Sequence, residues 1–133
     1  MVMAAGEFDV TMQAELLSVA ASGFGLGRRS LDKRYHGALD ATGNGEMLSF
    51  IGAVDGSAGY VAMERVEGSL DGKSGGFTLQ HSGIMQRGAA TLSVTVVPDS
   101  GSGDLTGLSG KLAIRNEGDQ HYYEFEYELA PIA

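Results

Sequence analysis

The 133-residue chain contains no cysteine and no tryptophan, two prolines, and nine lysines and arginines against seventeen acids. Without cysteine there is no disulfide framework, no thiolate metal site and no cysteine nucleophile, and the composition suits a reducing cytoplasm, the compartment expected. The scarcity of basic residues, with a formal net charge of −8, argues against a nucleic-acid partner, because phosphate-backbone binding relies on clustered lysine and arginine. No stretch approaches the ~20 apolar residues of a membrane helix, and Met1 to Glu7 has neither a basic start nor an apolar core suited to a signal peptide. A soluble protein with no membrane contact is expected. The three histidines, at 36, 81 and 121, lack paired spacing and no acidic cluster supplies a calcium loop, so neither a metal nor another cofactor is predicted.

Glycine is what the chain has in excess, 21 residues. They punctuate regular runs without pooling into a linker, which suits many short strands and tight turns. The clearest run is a long hairpin. Gly59 to Leu70 and Phe77 to Met85 both alternate with period two, and Asp71 to Gly76 between them is dense in residues that tolerate positive φ. One face of the first arm carries Tyr60, Ala62, Glu64, Val66 and Leu70. One face of the second carries Phe77, Leu79, His81 and Met85. Glu64 and His81 therefore sit among apolar neighbours on paired strands.

Other strands follow from the same alternation: Gly6 to Met12, Arg28 to Leu39 with Leu31, Lys33 and Tyr35 on one face, Glu46 to Val54, Ala90 to Val97, Lys111 to Arg115, and Gln120 to Leu129. The last places His121, Tyr123, Phe125, Tyr127 and Leu129 on one face, with Glu124, Glu126 and Glu128 on the wet side. Asp40 to Gly45 reads as a turn. Gln13 to Ala21 fits either a short helical turn or an apolar loop laid over an opening, and Gly23 to Gly27 reads as a flexible connector.

Eight antiparallel strands joined by short turns leave two open edges, a problem that closure solves. The sequence therefore predicts an all-β fold, one eight-stranded antiparallel up-and-down barrel over residues 1–133. Such a barrel has an interior that side chains just fill or that holds one small ligand. Phe8, Tyr60, Phe77, Tyr123, Phe125 and Tyr127 are the aromatics expected to narrow it.

Glu46 to Ser49, Gly56 to Ala62, Glu64 to Val66, Leu79 to His81 and Val96 to Gly101, in that order, resemble a bacterial family catalogued as a domain of unknown function. That family looks like the allene oxide cyclase barrel. Ser100 to Gly110 is similar to the glycine-rich turn that these cyclases and dirigent proteins carry late in the barrel. The resemblance implies the barrel fold and no particular activity, since one fold serves many functions.

The candidate chemistry centres on Glu64 and His81. A carboxylate beside an imidazole in a low-dielectric lumen can serve as a general acid and base, and the competing reading is a structural polar pair that satisfies itself. Lys33, Tyr60, His121 and Tyr123 are the candidate ligand-binding residues. An inward Lys33 would anchor a ligand carboxylate or form a Schiff base, whereas a surface Lys33 would be solvated; His121 and Tyr123 would otherwise only close the barrel. Arg65 and Glu67, sharing the outer face with Val61 and Met63, suit a subunit contact, and a homodimer is the default assembly. Three functions remain open: binding of a small, mostly apolar molecule in the lumen, a cyclase or isomerase using the Glu64–His81 pair, and a filled barrel that acts through its surface.

Overall fold

The computed structural model describes residues 1–130, and the strands are longer than their clearest alternating cores. They are β1 (Val2–Glu15), β2 (Leu26–Gly37), β3 (Leu39–Ile51), β4 (Ala58–Leu70), β5 (Lys73–Gln86), β6 (Ala89–Val96), a two-residue β7 (Ser102–Gly103), β8 (Leu108–Glu117) and β9 (Gln120–Leu129). Each long strand pairs antiparallel with its predecessor, β4 pairs with β5, and β1 closes the ring on β9 from Val2 opposite Tyr127 to Phe8 opposite His121. The architecture is an eight-stranded antiparallel barrel, with β7 an extra strand on β5 at Gly75 and Gly76. Closure removes the free edges on which unwanted strand pairing starts.

Two stretches read as turns belong to strands. Asp40 to Gly45 lies inside β3, and the chain reverses instead at Gly37 and Ala38, where Gly37 has φ 109°. Gly43 and Gly45 mark close approach of neighbouring chain, a second use of glycine within strands. A side chain at Gly45 would lie 2.0 Å from the Met63 carbonyl. In the long hairpin only Asp71 and Gly72 form the turn, both at positive φ. Lys73 to Gly76 already belong to β5, so the ladder continues from Leu70 opposite Lys73 to Ala58 opposite Met85. Of Gln13 to Ala21, the first three residues finish β1 and Val19–Ala21 form one 3-10 turn with no buried residue.

Alternation sends Phe8, Leu31, Tyr35, Leu79, Val94, Leu112, Tyr123 and Phe125 into the barrel. At one end Leu39, Leu70, Phe77, Leu105, Leu108 and Tyr127 close the interior, with Phe77 and Phe125 stacked at 5.6 Å and Phe125 tilted against Tyr127 at 5.4 Å. At the opposite end Met85 and Leu92, on the inward-facing series of their strands, remain 41% and 42% exposed. One half of the barrel is packed and the other half is open.

The wall is uneven as well. Every seam is a continuous ladder except that between β6 and β8, where Thr95 opposite Lys111 is the single registered pair. Among the described residues no helix is long and apolar enough to cross a membrane.

Candidate functional site

Four side chains meet in the middle of the barrel. β2 projects Lys33 and Tyr35 inward, two residues apart, β4 projects Glu64, and β5 projects His81. Glu64 must pass over β3 to reach β2, and it does so at Gly43. A Cβ at that position would lie 2.1 Å from Glu64 Oε2 and 3.0 Å from the Tyr35 ring. The missing side chain is the space the carboxylate occupies.

There the carboxylate is fully saturated. Lys33 Nζ donates to Oε1 at 3.0 Å, His81 Nε2 stands 2.9 Å from the same oxygen, and the Tyr35 hydroxyl donates to Oε2 at 2.5 Å. Glu64 is 0% exposed, His81 3% and Lys33 6%. Among the described residues no buried side-chain nitrogen or oxygen lacks a partner, as a low-dielectric interior demands. The Lys33 ammonium also lies 5.1 Å from the centre of the Phe8 ring and 5.8 Å from that of Tyr35, within the range of cation–π attraction.

Burial is the largest influence on Glu64 and by itself would raise its pKa, but the His81 hydrogen bond, the Lys33 charge, and the hydrogen bonds from Tyr35 and Lys33 outweigh it and hold the carboxyl below its usual value. Tyr35 moves the other way. Burial, then the Glu64 charge and hydrogen bond, push its phenol well above the ordinary range. The centre is thus a carboxylate held ionised by an ammonium, an imidazole and a neutral phenol.

The open half lies next to it. Along β4 the inward positions run Glu64, Ala62, Tyr60, and along β5 they run Leu79, His81, Gly83. Tyr60 and Gly83 line a hollow of about 380 Å³ whose walls include Met47, Ile51, Met85 and Leu92. The Tyr60 ring covers Gly83 so closely that a Cβ there would meet it at 2.4 Å. Tyr60 is half-buried, and burial followed by the Glu64 charge raises its pKa, which puts it electrostatically between the buried centre and the hollow.

Polar groups on the hollow are few: beside Tyr60 they are Arg29, Ser49, Thr91 and Asn116. Among the described residues Arg29 forms no ion pair, whereas its neighbour Arg28 is bound to Glu46. Thr91 on β6 and Asn116 on β8 border the hollow from the two sides of the thinly paired seam, so the hollow reaches the gap in the wall.

The sequence candidates therefore fall into three places. Glu64, His81 and Lys33 form the buried centre, and Tyr60 lines the hollow. His121 stacks on Phe8 at 5.1 Å and its Nδ1 stands 2.6 Å from Asn116 Oδ1, bracing a residue of the hollow from behind. Tyr123 lies apart from the hollow. Its hydroxyl accepts from the Leu39 amide at 2.9 Å and is 2.9 Å from the His36 carbonyl, tying down the β2–β3 turn. Strand alternation puts Tyr35 on the face of Lys33 without marking it as part of the site. Arg29, which continues that alternation outward from Leu31, was passed over.

A closed antiparallel barrel with a buried ionic centre and one open apolar end is the class of protein these features define. The chain belongs to a family of proteins of unknown function, DUF3224, whose model matches residues 4–127. It is similar to a crystal structure of a DUF3224 protein of unknown function from Shewanella oneidensis MR-1, at 49% identity over 99% of each chain with a TM-score of 0.94. No curated protein matches.

Proposed function

We propose that the protein binds a small, mostly apolar molecule in the open half of the barrel. The observation that carries this reading is the 380 Å³ hollow itself, which falls within the size range of small-molecule sites and combines apolar walls with a few convergent polar groups. At ~30 Å³ per water the volume corresponds to about a dozen waters, room for a compound of similar heavy-atom number. Met47, Ile51, Met85 and Leu92 supply apolar contact, while the Tyr60 hydroxyl and the Arg29 guanidinium are the groups that orient a polar end. In this reading Lys33, Glu64 and His81 act as a rigid polar floor that keeps Tyr60 in position, and His121 holds Asn116.

The enzymatic alternative, a cyclase or isomerase using Glu64 and His81, draws on the same neighbourhood. It requires a proton acceptor that substrate can reach. Glu64 is completely enclosed, engaged by three donors and held in its ionised form, which favours binding over proton transfer.

The test is native mass spectrometry of freshly purified protein, repeated on Leu92→Trp, which fills the hollow from an already half-exposed position. A discrete small-molecule adduct on the wild type that disappears in the variant supports the reading. An adduct equally abundant in a folded Leu92→Trp protein, or no adduct together with no saturable uptake of an apolar fluorophore, would overturn it.

A further inference from the structure

The outer wall of the barrel is divided by chemistry. On β8 and β9 the outward positions include Lys111, Arg115, Glu117, Glu124, Glu126 and Glu128, interrupted by Ser109, Ala113 and Tyr122, and on β1 they include Glu7 and Asp9 beside Met3. On β2 to β5 the outward positions at the open end include Leu26, Leu48, Phe50, Val61, Met63 and Ile84, each between 44% and 63% exposed. They are neighbours across the strands. Leu26 is opposite Phe50, Leu48 opposite Val61, and Gly59 lies between Phe50 and Ile84. Isolated exposed apolar residues need no explanation, but a contiguous patch of large ones marks an interaction surface.

Its relief offers both a ridge and hollows beside it. Leu48 and Val61 form a ridge between two shallow hollows, one bordered by Arg28, Glu46, Met63 and Gln80 and the other by Leu26, Phe50, Gly59 and Ile84. Gly59 leaves the second hollow open, since a Cβ there would meet nothing nearer than the Gly83 carbonyl at 3.8 Å. The face is also electrically balanced in a chain of net charge −8. Its Arg28 and Glu46 are bound to each other at 2.6 Å, so two copies can approach without the repulsion the opposite wall would impose.

We propose that this face docks a second copy of the same chain about a two-fold axis, the Leu48–Val61 ridge of each copy entering the Gly59 hollow of the other. An isologous contact needs a patch complementary to itself, and a two-fold pair is the simplest closed assembly. At about half of the ~150–200 Å² of a large side chain, the six apolar residues offer roughly 500 Å². Phe24, 70% exposed and two residues before Leu26, and the polar border of Arg28, Glu46 and Gln80 extend the face towards the ~800 Å² per partner of a standard interface. This inference stands independently of any ligand in the lumen.

Sedimentation velocity tests it. The wild type is expected at twice the 13.8 kDa chain mass, and Val61→Arg is expected to weaken association at least about tenfold, equivalent to ~1.4 kcal/mol. Gly59→Leu, which has room in the monomer and a backbone outside the left-handed region, should weaken it similarly while leaving the far-ultraviolet circular dichroism spectrum and melting temperature intact. Glu126→Arg on the charged wall should leave the mass unchanged. A wild type that remains a monomer up to about 0.1 mM, where a standard-size interface is populated, overturns the proposal. So does a dimer unaffected by both Val61→Arg and Gly59→Leu.

Discussion

Lys33 and His81, from strands on either side of β3 and β4, converge on a single atom, Glu64 Oε1, at 3.0 and 2.9 Å. Two cation-capable groups sharing one oxygen make each dependent on the carboxylate. Glu64→Gln should therefore leave a buried ammonium without its counter-charge and destabilise the barrel by about 3–5 kcal/mol, read as a lower urea midpoint with little change in slope. Combining Glu64→Gln with Lys33→Met should recover part of that loss, with a coupling energy of about 1–3 kcal/mol in a double-mutant cycle. Simple additivity would mean that the pair does not interact.

Acid should weaken the fold through the same residue. The folded pKa of Glu64 lies below its unfolded value, so the unfolded state takes up the proton first as pH falls. The stabilisation is fully present above the unfolded carboxylate range, near pH 4.5, and is lost progressively as pH drops through the folded value. Urea unfolding at a series of pH values should show this loss in the wild type and a shallower acid dependence in Glu64→Gln. Parallel profiles would assign the acid sensitivity to other carboxylates.

Gly43 and Gly72 offer a comparison of two kinds of glycine. At Gly43 an alanine would push its methyl into Glu64 Oε2 and the Tyr35 ring, so Gly43→Ala should cost more than about 3 kcal/mol by disrupting the buried network. At Gly72, φ is 83° and nothing lies within 4 Å of an added Cβ. Gly72→Ala should cost only the ~1–2 kcal/mol of an alanine in the left-handed region. Thermal melts of the two variants would rank them, and a Gly43→Ala protein as stable as Gly72→Ala would refute the close packing.

At the packed end the Tyr127 hydroxyl donates to Asp71 in the β4–β5 turn. Burial and that aspartate push the phenol up to about 12. Ultraviolet difference titration should find one fewer tyrosine ionising near that value in Tyr127→Phe than in the wild type. The substitution should also cost about 1 kcal/mol, the net worth of an ordinary hydrogen bond.

Much of this arrangement was legible because a closed barrel enforces strict alternation. Glu64 and His81 declared themselves by falling in series with Val66 and Leu79, whereas alternation in the second strand leaves Lys33, between Leu31 and Tyr35, open to either face. What alternation along one strand does not contain is which side chains meet across the lumen. Tyr35 reaches Glu64 only because β3 has no side chain at Gly43, and in sequence that glycine, flanked by Asp40, Asn44 and Gly45, has the composition of a turn. Lys73 to Gly76 misled in the same way: glycines that admit crowding inside a strand resemble glycines that reverse the chain. The open end was hidden for another reason. Met85 and Leu92 continue inward-facing series correctly, and only the three-dimensional taper of the packing leaves them half uncovered.

The lone Thr95–Lys111 pairing between β6 and β8 gives the ring a clasp. Unfastening it would break one registered pair and the packing of Val94 against the core beside Leu112, and would leave a single curled ribbon, running from β8 through β9, β1, β2, β3, β4 and β5 to β6, with its other ladders unbroken. This seam is where the ring of the open half is held by the fewest backbone pairs, away from the ladders that carry Lys33, Glu64 and His81. Backbone amides of Leu92 and Ile114, which point into this seam, should exchange with deuterium well before those of Leu79 and Phe125, and an occupant of the hollow would slow that exchange by holding the clasp shut.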